Sequence, residues 1–149
     1  MNVQIYIIKI LLFTITIHYT NSKITKMKNE KEKNMLREED ENLSVLLKVP
    51  TYSIGAYSID VQKRLLTLKG ESKKLTNKEL HLLILFAANA NDFVDRKYAL
   101  KTIWKDDNYY NARSMDVYIC KLRKLLAADT DVIIINIHGK GYKLIVPSK

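Results

Sequence analysis

Two stretches of the chain carry residue types whose spacing could do chemistry. The first, "IHGKGYKL" from Ile137 to Leu144, sets Lys140 between Gly139 and Gly141. Glycine-flanked lysines occur in loops that grip phosphate, where backbone N–H groups and the N-terminus of a following helix converge on the anion. Such a loop must lead from a strand into a helix. Here "VIIINIH", Val132 to His138, precedes it and "YKLIV", Tyr142 to Val146, comes after it, and both runs are strand-like. The glycines therefore read as the turn of a hairpin, where they supply positive φ.

The second stretch is "ARSMDVYICKLRKLLA", a helix expected from near Ala112 to about Ala127. At helical spacing Met115, Ile119, Leu122 and Leu126 line one narrow stripe, which faces a core. Arg113, Ser114, Val117, Lys121 and Lys124 lie opposite. Tyr118 stands on one flank, Asp116 and Arg123 on the other. Between residues 113 and 124 there are four basic side chains and one acid, whereas a solvent-facing helix ordinarily mixes signs to gain i,i+4 pairs. Lys and Arg can donate to guanine O6 and N7 or to phosphate, Val can touch a thymine methyl, and Ser can bond either way, so this face suits a DNA major groove. A solvated basic face with no ligand is the competing reading.

Other chemistries find little support. The single cysteine, Cys120, excludes an internal disulfide and any cysteine cluster for zinc. His18, His81 and His138 are scattered, none at helical metal spacing. No hydrolase elbow, zinc-protease or Walker-type run is present, so neither catalysis, nor a metal, nor any cofactor is expected. The balance of 25 Lys+Arg against 16 Asp+Glu, a net +9, favours an acidic partner such as nucleic acid or an anionic membrane.

The elements that would position these residues begin near Leu43. "YSI" and "YSID" around Gly55, then "RLLTL" and "SKKL" about a Lys69-Gly70-Glu71 turn, predict a small antiparallel sheet. "LTNKELHLLILFAANAN" predicts a buried helix, opened by a capping box between Thr76 and Glu79. His81 is expected at the edge of the core. Asp95 can cap a second helix, "RKYALKTIW". "KDDNYYN", Lys105 to Asn111, reads as a polar loop before the third helix. The order helix–helix–helix–hairpin is that of a winged helix, whose hairpin can lie along the DNA backbone and place a side chain in the minor groove.

The first 50 residues differ in texture. Val3 to Tyr19 is almost wholly apolar but is interrupted by Gln4, Lys9 and His18. It falls just short of the length a spanning helix needs and lacks the marks of a good signal peptide. A membrane anchor, a loose hydrophobic tail and a non-native start all stay open. If residues 3–19 span, Lys23, Lys26, Lys28, Lys31 and Lys33 hold the downstream residues in the cytoplasm. Residues 21–42 are charge-dense and poor in large apolar side chains, and read as a linker, coil or frayed helix. The expected organisation is a segment over 1–20, a linker over 21–47 and one domain over 48–149.

"LTNKELHLL" at Leu75, "DRKYALKTIW" at Asp95, "RSMDVYICKLRKLL" at Arg113 and "IHGKGYKL" at Ile137 together resemble the OmpR/PhoB-type DNA-binding domain, the effector half of many bacterial two-component response regulators. The resemblance covers roughly Tyr52 to Val146. It implies an α+β fold: a winged helix-turn-helix with a small N-terminal antiparallel sheet, three helices and a C-terminal β-hairpin wing. It implies a transcription regulator of a phosphorelay that binds double-stranded DNA, usually at direct repeats, as a monomer in solution and in tandem on DNA. Arg113, Ser114, Tyr118 and Arg123 would contact phosphates, Val117 and Lys121 would face bases, and Trp104 would offer its indole N–H to a phosphate. Lys124, Asn136, Lys140 and Lys143 complete the DNA-contacting set together with His138, which stands where many members carry a minor-groove arginine. Cys120 replaces a frequent basic residue. Lys105, Asp106, Asp107, Asn108, Tyr109, Tyr110 and Asn111 would form the loop that members use to touch RNA polymerase. Residues 1–50 are too short for a receiver domain and lack its βα alternation, so a fragment of a longer regulator, a stand-alone effector and a membrane-tethered effector remain open. A winged helix that binds a protein partner is the alternative class.

Overall fold

The computed structural model describes residues 2–148, apart from the side chains at positions 36 and 39. Two compact units make up the chain, Met1–Arg37 and Glu38–Lys149.

Helix α1 runs over Val3–Lys48. The charge-dense stretch expected as linker or frayed helix is therefore helical throughout. Its Lys, Glu, Asn, Met and Leu residues include no Gly or Pro, and Pro50, whose ring disfavours helix in the residue before it, marks the stop. In the first unit the apolar side chains of α1, from Val3 to Tyr19, are exposed. In the second unit the end of α1 belongs to the domain. Leu43 is buried, Leu46 and Leu47 pack on the core, and the Tyr52 hydroxyl donates to the Leu46 carbonyl at 2.8 Å. The compact unit thus starts at Glu38, ahead of the residue 48 expected from composition.

The second unit opens with four short strands, β1 (Thr51–Ile54), β2 (Tyr57–Asp60), β3 (Leu65–Leu68) and β4 (Glu71–Lys74). They pair antiparallel in chain order as one sheet. Ile54, Tyr57, Ile59 and Leu66 turn inward from it. Helix α2 (Asn77–Ala88) comes next. Its capping box forms as expected: Thr76 Oγ1 accepts from the Glu79 N–H at 3.3 Å, and Glu79 Oε2 accepts from the Thr76 N–H at 2.8 Å. Leu82 to Phe86 are all buried, which makes α2 the centre of the core. His81 is half-buried at its edge, and burial, then the nearby Lys78 charge, lowers its pKa below the usual 6.5.

Strand β5 (Phe93–Asp95), helix α3 (Arg96–Trp104), helix α4 (Tyr109–Leu125) and the strands β6 (Ile133–Ile137) and β7 (Gly141–Ile145) complete the domain. Sequence reading did not foresee β5, a three-residue strand. It pairs with β7 and makes the wing a three-stranded sheet of order β5-β7-β6. The architecture is the α+β winged helix, with α2, α3 and α4 as its three helices and α1 ahead of them in the chain.

Candidate nucleic-acid interface

Helix α4 is held at its start by Asn108, whose side chain accepts from the Asn111 N–H at 2.9 Å. The helix therefore begins at Tyr109, earlier than Ala112. Tyr109, Tyr110 and Asn111 form its first turn, and the expected loop shrinks to Lys105–Asn108. Within that loop Lys105 is left-handed (φ 69°) and its ammonium pairs with Asp40, while Asn108 donates to Asp106 at 2.8 Å. Tyr109 and Tyr110 are 70% and 82% exposed, with ring centroids 5.8 Å apart.

The core stripe of α4 is as expected: Met115, Ile119, Leu122 and Leu126 are buried. Arg113, Val117, Lys121 and Lys124 are exposed and Ser114 is half-buried. This open face continues on one flank into stacked aromatic and cationic groups. Lys121 Nζ lies 4.9 Å from the centroid of the Tyr118 ring, Tyr118 lies 5.8 Å from Trp104, and Lys78 Nζ lies 5.0 Å from the Trp104 ring. Burial lowers the Lys78 pKa from its usual 10.5. Sequence reading did not connect Lys78 with the site, since it sits on α2 and nothing local links it to Trp104.

The other flank faces the wing. Arg123 Nε donates to the Ile134 carbonyl at 3.1 Å, and Arg123 Nη2 donates to Asn136 Oδ1 at 2.9 Å. Asp116 pairs with Arg96 Nη1 at 2.8 Å and accepts from the Tyr142 hydroxyl at 3.2 Å. Arg96 Nη1 also donates to Tyr142 Oη, and Arg96 Nη2 to the Ala112 carbonyl at 3.1 Å. The hydrogen bond that Arg96 donates to Asp116 raises the Arg96 pKa further, and burial raises that of Tyr142. One residue from α3, one from α4 and one from β7 thus share a polar knot, which sequence reading missed because the three are far apart in the chain.

The Gly-Lys-Gly run is a hairpin turn leading into a strand, with no helix to complete a phosphate cradle. Of its two glycines only Gly139 has positive φ, at 64°. Gly141 is needed for closeness: a Cβ there would lie 2.1 Å from the Val94 carbonyl oxygen on β5. The Lys140 carbonyl accepts from the Arg96 N–H at 2.9 Å, which pins the turn to the start of α3. His138 and Lys140 are exposed at the wing tip, and Asn136 is exposed beside Arg123. Lys143 is half-buried on β7. Side chains alternate along a strand, so Lys143 points away from the face on which Tyr142 and Leu144 are buried. It lies opposite Phe93 and Ile135. Cys120 is an exposed free thiol on the wing-facing edge of α4.

The model of a family described as "Transcriptional regulatory protein, C terminal" matches residues 70–144. Over 96 residues the chain is 59% identical to the transcriptional regulatory protein RprY of Bacteroides fragilis, a match covering 64% of this chain and 41% of that protein. The chain therefore spans about two fifths of this relative's length. The DNA-binding domain of RstA from Klebsiella pneumoniae, solved in complex with the RstA box, is similar with a TM-score of 0.55 at 32% identity, over 64% of this chain and 96% of that one. The DNA-binding domain of CpxR from E. coli shares the fold with a TM-score of 0.59 at 22% identity, over 66% of this chain and 99% of that one.

Proposed function

Because this chain belongs to the OmpR/PhoB-type family of C-terminal transcriptional regulatory domains, we propose that it is a sequence-specific double-stranded DNA-binding transcription regulator, the effector part of a phosphorelay response regulator. The observation that carries this reading is the open face of α4. It sets Arg113, Val117, Lys121 and Lys124 outward on a helix whose opposite stripe is buried, between an aromatic flank and a wing. Placed in a major groove, Val117 and Lys121 face bases. Arg113, Ser114, Tyr118, Lys124 and the Trp104 indole meet phosphates, and His138 and Lys140 reach the backbone or minor groove beside them. The chain acts in the cytoplasm, as a monomer that assembles in tandem on direct repeats. Exposure of Tyr109 and Tyr110 beside the short acidic loop supports contact with RNA polymerase there.

A tethered form of the same regulator draws on one further observation. Within α1 an 18-residue window reaches a mean hydropathy of 1.5 with none of it buried, and the five lysines from Lys23 to Lys33 come directly after the apolar run. Recovery of the chain in detergent-soluble membranes rather than in the soluble fraction is the result this form requires.

The test of the main reading is selection of bound sequences from random duplex DNA with the full chain, and then a salt titration of the best site. A defined motif should emerge, with log affinity falling against log salt by about 0.9 per phosphate neutralised. Failure to enrich any sequence, with binding indifferent to salt, sinks it.

A further inference from the structure

Arg123 is one of four basic residues on the reading helix between positions 113 and 124, and its type and place suit a phosphate contact. The structure gives its guanidinium other work. Its two bonds run to the Ile134 carbonyl and the Asn136 side chain of β6. Strand β6 is the outer strand of the wing sheet, paired with β7 on one side. The other arm of the hairpin has separate ties: β7 pairs with β5, the Lys140 carbonyl accepts from the Arg96 N–H, and the Tyr142 hydroxyl donates to Asp116. For β6 the fork of Arg123 supplies the corresponding link to α4. Asn136 lies two residues before His138, so this link fixes the strand that carries the exposed wing tip.

We propose that Arg123 is a positioning residue, whose guanidinium braces β6 against α4 through Ile134 and Asn136 so that reading helix and wing meet DNA as one rigid surface. The inference rests on the DNA-binding reading above. Its physical basis is the geometry of the side chain. A guanidinium presents several N–H donors in a fixed plane and can hold a carbonyl and an amide oxygen at once, whereas a lysine ammonium cannot reproduce the fork. Charge alone is therefore not enough at this position, and the neutral Asn136 holds one of the two prongs.

Four variants of the full chain separate a brace from a phosphate contact: Arg123→Ala, Asn136→Ala, the double variant and Arg123→Lys. Affinity for the selected duplex is measured alongside a thermal melt and hydroxyl-radical footprinting. Arg123→Ala, which removes both prongs, should weaken binding about tenfold, as loss of hydrogen bonds to a charged group implies, and Asn136→Ala, which removes one, by less. The double variant should also lose about tenfold, because both changes break one link. Arg123→Lys should behave like Arg123→Ala although it keeps the charge, and footprint protection should fade on the wing side while the α4 side persists. A hundredfold loss in the double variant, or near-normal binding by Arg123→Lys, overturns the brace and returns Arg123 to the phosphates. Asn136 is exposed and Arg123→Lys is conservative, so both report even if Arg123→Ala does not fold. If the unaltered chain shows no salt-dependent duplex binding, the DNA reading itself fails and the inference with it. Additivity in a chain that does bind sinks the inference alone.

Discussion

Lys121 and Arg123 sit two residues apart on α4. Lys121 turns outward over the Tyr118 ring, on the open face with Arg113, Val117 and Lys124. Arg123 lies on the opposite edge, bonded to the wing, in the company of Asp116 and Cys120. Both are cations on the same helix, and both fit DNA by residue type. What separates them is the neighbour each direction meets: solvent beside the open face, and the edge of a β-sheet beside the other. An open cation is available to a ligand. A tied one shapes the surface that the ligand meets.

The largest expected effect comes from removing what both faces stand on. Leu122 is fully buried beneath α4, and Leu122→Ala should destabilise the domain by about 2–5 kcal/mol through lost burial and a cavity. A urea melt measures this, and DNA binding should fall without favouring either face. Retention of full stability would mean that α4 is not held by its apolar stripe.

Next is a change confined to the wing. Gly141→Ala places a methyl against the Val94 carbonyl, which is backbone and cannot swing aside. Overpacking of this kind costs about 1–3 kcal/mol. Amide exchange should rise in β5, β6 and β7, and affinity should drop while base preference stays. A shift in preferred sequence would show that the two sides of α4 are not separable.

On the open face, Lys121→Ala should leave the melt unchanged and relax base preference, by about 1–3 kcal/mol of discrimination at one position. Lys124→Ala should instead weaken every duplex alike and reduce the salt slope by about 0.9. Competition binding against single-base variants distinguishes them. Uniform loss in both would reverse the assignment of Lys121 to bases.

The smallest effect lies on α2, at the edge of the core. The folded-state pKa of His81 is lowered, so the unfolded chain binds the proton more readily. Its contribution is intact above the unfolded value near 6.5 and is lost as pH falls through the lower folded value. Melting temperature should therefore decline on acidification from pH 7, and His81→Gln should decline less steeply over the same window. Equal slopes would remove His81 from the pH response.

Local signals in the chain were reliable wherever the deciding partner lay within a few residues. Thr76 and Glu79 close a capping box on each other, and Asp95 caps α3 through the Tyr98 N–H. The apolar stripe of α4 and the strand–turn–strand at its C-terminal side were legible from periodicity alone. Asn108 was ambiguous, because an asparagine caps helices and also populates loops, and "YYN" carries no apolar period to reveal that it is already helix. Strand β5 was invisible because three residues carry no periodicity, and it exists only by pairing with β7.

By itself, then, the sequence determined the order of the domain's elements apart from β5, the burial of α2, and the buried stripe and basic outward face of α4, since these arise from side-chain period and local capping. Only the tertiary structure decided which cations belong to that face. Lys78 reaches the Trp104 ring from α2 while its ammonium donates to the Ile103 carbonyl, Lys143 lies on the other side of β7 from Tyr142, and Arg123, though exposed, bonds to β6. The Lys78 and Arg123 placements depend on contacts between elements far apart in the chain, which no local spacing encodes.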